Sequence, residues 1–137
     1  MKVMLDLNVL LDVIQKREPH FAASAEILAL ATRGKVKALV PSHCLTTLYF
    51  IIAKHADRPT AEKAVDWILS KLNIQPAIHS DYLRARTFGM KDFEDAVVAA
   101  ISESSHCQTI ITRNVTDFEK SPIPALTPEE FLVENGN

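Results

Sequence analysis

The stretch MKVMLDLNVLLD, residues 1–12, decides the fold class because its hydrophobic spacing changes at one acidic residue. Residues 3–5 form a short apolar run of strand length, and from Asn8 onward the apolar residues recur at helical intervals. Asp6 therefore stands where a buried strand ends and a helix begins. An ionised carboxylate is costly to desolvate at such a place without a compensating charge, so we expect a cationic partner for Asp6.

The rest of the chain continues the alternation of strands and helices. Further strands are predicted within residues 35–40, 73–78, 107–112 and 123–127. Helices are predicted within residues 8–16, 21–34, 43–56, 58–72, 79–89, 91–106 and 128–135, with Ser42 as an N-cap. The apolar stripe of the 58–72 helix is predicted to contain Ala61, Ala64, Val65, Ile68, Leu69 and Leu72. Residues 113–122 are predicted to form a loop. This order predicts an α/β three-layer sandwich with a mostly parallel central sheet.

Length and composition limit the functional classes. At 137 residues and 47% hydrophobic content, the chain is expected to be a single domain spanning 1–137. A net charge of −2 argues against strong non-specific binding to nucleic acid. Cys44 and Cys107 lack metal-binding spacing and are predicted to be buried thiols in a reducing compartment. Because neither a leader nor a long apolar run is evident, we expect a cytoplasmic protein without membrane contact.

Acidic residues from three separate segments are candidates for one site. Asp6 ends the first strand, Asp92 and Asp95 begin a helix at a spacing that would place them on one face, and Asp117 follows the strand TIIT. Ligands of parallel sheets bind beyond the carboxyl ends of the strands. Carboxylates without His or Cys ligands are typical of Mg²⁺ or Mn²⁺ sites. Singly, each residue is equally consistent with a helix cap or a turn.

Asp12 is interpreted as a supporting residue rather than a ligand. It follows Asn8 by four residues, a spacing that predicts a hydrogen bond between the two side chains on one face of the first helix. We expect this bond to orient the helix.

Four segments in this order resemble the PIN domain, and within it the branch of bacterial VapC-like toxin ribonucleases. They are residues 4–21 (MLDLNVLLDVIQKREPHF), 92–100 (DFEDAVVAA), 110–118 (IITRNVTDF) and 123–132 (IPALTPEEFL). The resemblance implies a five-stranded parallel sheet and hydrolysis of RNA phosphodiesters that depends on Mg²⁺ or Mn²⁺. The metal ligands that it implies are Asp6, Asp95 and Asp117, with Asp92 as a further catalytic carboxylate. The supporting polar residues that it implies are Asn8, Thr112 and Asn114.

The chain departs from the family pattern at two positions. Leu7 stands where a small hydroxyl residue is common, and residues 41–52 contain no Glu, so that Thr47 or a neighbour takes the place of a fourth acid. We expect this loss to weaken catalysis.

The resemblance also bears on partners. Basic residues near the motifs are predicted to hold the RNA backbone: Lys16, Arg17, Lys91 and Arg113. An antitoxin protein and a second copy in a homodimer are further expected partners. The apolar residues 49–52 and Trp67 would supply the surface for them wherever they are not in the core.

Two other functions were weighed against the nuclease. An aspartyl phosphotransferase would need a second acid two residues after Asp6, and Asn8 stands there. A PIN-fold interaction or RNA-binding module with a weakened metal site remains the alternative, because the fourth acid is missing.

Overall fold

The computed structural model describes residues 1–135, which form a sheet of five parallel strands between helices. The strands lie in the order β3-β2-β1-β4-β5. Their bounds are β1 Lys2–Leu5, β2 Lys37–Pro41, β3 Asn73–Gln75, β4 Thr109–Ile111 and β5 Ala125–Leu126. The helices are α1 Leu7–Ile14, α2 Phe21–Thr32, α3 Ser42–His55, α4 Arg58–Lys71, α5 His79–Ala85, α6 Phe93–Ser104 and α7 Pro128–Asn135, with a 3₁₀ helix at Val115–Phe118. The predicted sandwich is confirmed.

Each face of the sheet packs against its own group of helices. Val3 and Leu5 face a core that contains buried side chains of α1, α2, α3, α4 and α7. Met4 faces the opposite core, which is built mainly from α6 and includes Ala85 of α5. Because successive strand residues point to opposite faces, a strand that is apolar throughout must be covered on both sides. The short run before Asp6 therefore lies at the centre of the molecule.

Sequence-based predictions of local structure need four corrections. Pro41, not Ser42, is the N-cap of α3, and no side chain caps that helix. Leu69 is 55% exposed and does not belong to the buried stripe of α4. Asp57 caps α4 by accepting the N–H of Thr60 at 2.7 Å. The predicted loop after β4 contains the 3₁₀ helix, which closes through the N–H of Asp117 and the carbonyl of Asn114 at 3.0 Å.

Both cysteines are buried free thiols, as predicted. Burial raises the pKa of Cys107 to about 11, which makes its thiol unreactive near neutral pH. Over the described range 1–135, no helix has the length and apolarity needed to cross a membrane.

Candidate functional site

Asp6 joins the central strand to the first helix. Its N–H donates to the carbonyl of Ile111 at 3.0 Å, which extends the pairing of β1 with β4 by one residue. Its carboxylate caps α1, since Oδ1 accepts the N–H of Leu7 at 2.9 Å. Burial raises the pKa of Asp6, opposed by the hydrogen bond from Thr112. The sequence-based expectation of a costly carboxylate at this strand end is therefore correct.

A fully buried hydroxyl holds the second oxygen of Asp6 in place. Thr112 donates from Oγ1 to Asp6 Oδ2 at 2.8 Å and accepts the N–H of Asn114 at 3.0 Å. The amide of Asn8 donates to Asp6 Oδ2 at 3.3 Å and to Thr112 Oγ1 at 3.4 Å. Asn8 Oδ1 in turn accepts the N–H of Arg113 at 3.3 Å. Of the three residues predicted as supporting, Thr112 and Asn8 donate to Asp6, whereas Asn114 contributes a backbone N–H to Thr112.

The N-terminus of α6 brings a second carboxylate to this edge of the sheet. Asp92 is the N-cap and accepts the N–H of Asp95 on Oδ1 at 3.0 Å. Asp92 precedes the helix, so its observed role is that of a cap, and Asp92 and Asp95 line one depression at this edge of the sheet. Asp95 has its pKa raised to about 7, first by burial and then by the negative charges of Asp6, Asp92 and Asp117. The pKa shift indicates that these acids lie near one another.

Two depressions meet at Asp95. The first, here the acidic depression, has a volume of about 220 Å³ and contains Asp6 and Asp95. It is also lined by Leu7, Asn8, Leu11, His43, Cys44, Thr47, Glu94, Val98 and Asn114. The second, here the lysine-rimmed depression, has a volume of about 460 Å³ and is lined by residues 89–92, Asp95, Thr116, Asp117, Glu119 and Lys120. Asp117 is exposed and lies in the second depression, so that the three predicted ligands are spread over both.

The first turns of α3 form one wall of the acidic depression. Thr47 lines it, as expected of the position that replaces the fourth acid, and its hydroxyl donates to the carbonyl of His43 at 3.0 Å. Burial, followed by the charges of Asp6 and Glu94, raises the pKa of Cys44 to about 12. Sequence reasoning missed His43 and Glu94. Two sequence features could have indicated that these residues belong to the site: Glu94 is adjacent to Asp95, and His43 lies four residues before Thr47.

The predicted RNA-binding residues are distributed unevenly. Lys91 lines the lysine-rimmed depression together with Lys120, which sequence reasoning did not select. Lys16 and Arg17 follow the far end of α1 and line neither depression. Arg113 Nε donates to the fully buried Asp12 Oδ2 at 2.8 Å, which argues against a free guanidinium for RNA. The predicted bond between Asn8 and Asp12 is wrong, because Arg113 takes that place.

Comparisons with known proteins identify the family and the fold. The PIN domain family model matches residues 2–116. The chain belongs to the PIN domain family. It is 26% identical over 135 residues to Ribonuclease VapC1 of Aquifex aeolicus (strain VF5), covering 95% of this chain and 92% of that protein.

Solved structures share this PIN fold. VapBC2 of Rickettsia felis, bound to a DNA fragment from its promoter, aligns with a TM-score of 0.74 and 20% identity, covering 93% of this chain and 98% of that one. VapC20 of Mycobacterium tuberculosis, a sarcin–ricin loop cleaving toxin, aligns with a TM-score of 0.65 and 11% identity, covering 79% and 86%. At these identities the likeness establishes the fold, which is the sandwich that the sequence predicted.

The donor atoms at this edge of the PIN sheet fit a hard divalent cation. Asp6 and Asp95 present carboxylate oxygens to one depression, and no Lys or Arg lies among the residues lining it. The raised pKa values of both acids reflect buried and mutually repelling charge that a cation would relieve. Within residues 1–135, no three His, Cys, Asp or Glu side chains are grouped closely enough to enclose an ion. The arrangement is thus an open pair of carboxylates.

Proposed function

We propose that this PIN-domain chain is an endoribonuclease that requires Mg²⁺ or Mn²⁺ and hydrolyses RNA phosphodiester bonds. The observation that carries the proposal is the pair Asp6 and Asp95, two half-buried carboxylates in one depression at the carboxyl edge of the sheet. The name of its relative, Ribonuclease VapC1, supports the same reaction. Asp117 is proposed as the third ligand, and Asp92 as a nearby carboxylate that keeps α6 in position through its cap.

The chain's own residues supply the orientation that this reaction needs. Asp6 is fixed by Leu7 N–H and by the Thr112 hydroxyl, so its carboxylate is aligned before any ligand arrives. Asp95 lies where the two depressions meet, and so links the acidic depression to the lysines. When bound, Mg²⁺ or Mn²⁺ would lower the pKa of a water molecule and neutralise charge on the phosphate. Lys91 and Lys120 are proposed to hold neighbouring phosphates of the RNA.

We further propose that the chain is the toxin of a toxin–antitoxin pair and forms a homodimer. Its structural relatives include a toxin–antitoxin complex from Klebsiella pneumoniae and DNA-bound VapBC from Salmonella typhimurium. A groove of about 310 Å³ between α1, α2 and α4, which includes Leu10, Leu28 and Trp67, is almost entirely apolar. Trp67 is 37% exposed there, so the groove suits the apolar face of a partner helix.

The experiment that tests the nuclease combines metal binding with cleavage. We would titrate the purified protein with MnCl₂ by calorimetry and follow release of 5′-phosphate-terminated fragments from a structured RNA. Cleavage should require the metal and stop with EDTA, and Asp6→Asn and Asp95→Asn should abolish it, because each removes a charged ligand. Asp66→Asn, an exposed acid of α4, is the matched control. Equal cleavage by wild type and Asp6→Asn would refute the assignment.

A non-catalytic PIN module is the second candidate, and the open arrangement of the acids favours it. Thr47, which we interpret as standing in place of the family's fourth acid, lies in the acidic depression. Thr47→Glu should tighten Mn²⁺ binding, because the number of charged ligands helps set the affinity for divalent cations. If wild type and Thr47→Glu both fail to bind Mn²⁺ and to cleave RNA, the module is the better description.

A further inference from the structure

His43 is the basic side chain among the residues that line the acidic depression. It is the second residue of α3, which begins directly after β2 at the same edge of the sheet where Asp6 lies. Its side chain is half-buried. The other basic residues near the candidate ligands, Lys91 and Lys120, line the lysine-rimmed depression. A phosphate that enters beside Asp6 would therefore meet His43 and no lysine.

The surroundings of His43 fix its backbone and leave its ring available. The hydroxyls of Thr46 and Thr47 donate to its carbonyl at 3.1 and 3.0 Å, which holds the first turn of α3. None of the hydrogen bonds among residues 1–135 involves a nitrogen of its imidazole. Its charge acts on Asp6 and lowers the pKa of that carboxyl, against the larger effect of burial. The ring is therefore close to Asp6 without being paired to it.

We infer that His43 is a further catalytic residue, whose imidazole N–H donates a hydrogen bond to a non-bridging oxygen of the RNA phosphate in the acidic depression. This inference rests on the proposed ribonuclease function. The neutral ring has one N–H donor and the charged ring has two, so the contact needs no particular protonation state. A phosphate beside carboxylates is repelled unless donors offset its charge, and His43 provides a donor on the wall formed by α3.

A different role for the same ring would leave a different signature. Neutral imidazole is a common metal ligand in proteins, so the competing role for His43 is to bind the cation itself. A metal ligand affects Mn²⁺ affinity in the absence of RNA, whereas a phosphate contact affects RNA affinity in the absence of metal. The two roles are separable by measuring each affinity alone.

The test uses His43→Ala and His43→Gln, with His55→Gln as the matched control, since His55 is the exposed last residue of the same helix. Circular dichroism first establishes that each variant is folded. Binding of a short fluorescent single-stranded RNA is measured by anisotropy in EDTA at low salt. Mn²⁺ affinity is measured by calorimetry without RNA, and kcat and KM are measured with Mn²⁺.

We expect His43→Ala to weaken RNA binding in EDTA by about tenfold, as for loss of a hydrogen bond to a charged group. KM should rise and Mn²⁺ affinity should stay unchanged. His43→Gln should lose less, because its amide also donates. Weaker Mn²⁺ binding with unchanged RNA binding would overturn the inference in favour of a metal ligand. Wild-type values of RNA affinity, Mn²⁺ affinity and KM in His43→Ala would overturn it as well. Wild type that binds Mn²⁺ and RNA yet never cleaves would overturn the proposed nuclease, while the RNA affinities would still decide whether His43 contacts the phosphate.

Discussion

At the scale of single residues, Asp95 is the side chain whose behaviour most directly reports on the site. It stands at the junction of the two depressions, and burial together with four neighbouring acids, Asp6, Asp92, Asp117 and Glu94, raises its pKa to about 7. A surface aspartate at a helix N-terminus would instead be stabilised in its charged form by the helix dipole. Because the pKa of Asp95 is raised, burial and the neighbouring carboxylates outweigh the helix dipole, which alone would lower it.

Asp95 should make the metal-free protein less stable as the pH rises. In the unfolded chain its carboxyl ionises near 3.8, and in the folded protein near 7. Between those values the folded state holds a proton that the unfolded chain has lost, so the free energy of unfolding falls with increasing pH. Asp95→Asn should remove this slope and raise stability at pH 8 by about 1 kcal/mol, allowing for solvent screening of a half-exposed group.

The measurement is urea unfolding in EDTA from pH 4 to pH 8. Asp66→Asn serves as the control on an exposed face of α4. The contribution of Asp95 is the free energy of unfolding of wild type minus that of Asp95→Asn. If this difference rises with pH, the assigned direction of the pKa shift is contradicted.

At the scale of elements, the buried ion pair of Asp12 and Arg113 ties α1 to the loop after β4. Asp12 is fully buried, and its Oδ1 has no hydrogen-bond partner among the described residues. The guanidinium Nε of Arg113 lies 2.8 Å from Asp12 Oδ2, and the backbone N–H of Arg113 donates to Asn8 Oδ1. The pair therefore holds the segment that leads to Asp117 against the helix that begins at Asp6.

Arg113→Met should lower the free energy of unfolding by about 3 kcal/mol, because it leaves a buried carboxylate without its partner. Adding Asp12→Asn in the same chain should recover part of the loss, since the uncompensated charge is then gone. Arg33→Met is the matched control: its pair with Glu26 is exposed on both sides, so its loss should cost under about 1 kcal/mol. Denaturant unfolding is measured for wild type, Arg113→Met, Asp12→Asn, the double variant and Arg33→Met. Additive effects of the two core substitutions would argue against coupling.

Sequence reasoning located the elements well because periodicity and end signals are local. Pro128 at the first position of α7 and the acidic first turn of α6 are both observed. It did not find the pair of Asp12 and Arg113, since these residues are 101 positions apart and only the pairing of β1 with β4 brings them together. It likewise found Asp6 from its neighbours along the chain, but His43 only becomes part of the site through the pairing of β1 with β2.

At the scale of the whole molecule, the exposed apolar side chains indicate where partners are to be sought. The apolar run at residues 49–52 divides as its helical phase requires: Ile52 is 1% exposed and Phe50 is 68% exposed. The ring of Phe50 packs edge-on against Tyr49, with centroids 5.6 Å apart. Tyr49 and Ile51 are partly buried against the core, so Phe50 is the residue of this run that remains for a partner.

If the proposed homodimer uses this surface of α3, Phe50→Lys should shift the protein toward monomer, because a charge would be buried at the interface. Sedimentation velocity over a concentration series measures the shift. Val133→Lys, at an 85% exposed apolar residue of α7, is the control. A wild type that sediments as a monomer at every concentration would refute the homodimer, and an unchanged dimer in Phe50→Lys would place its interface elsewhere.

The strand order has a consequence for the order of events during synthesis. The central strand is the first to leave the ribosome, but one of its two neighbours, β4, is made from residues 109–111. Until that strand docks, Asp6 lacks the Thr112 hydroxyl, and neither Asp95 nor Asp117 is fixed beside it. A nascent chain that ends before β4 therefore cannot hold Asp6, Asp95 and Asp117 together. The proposed RNA-cleaving toxin would thus be inert until residues 109–117 had been made, and the ribosome that makes it would not meet an active enzyme before then.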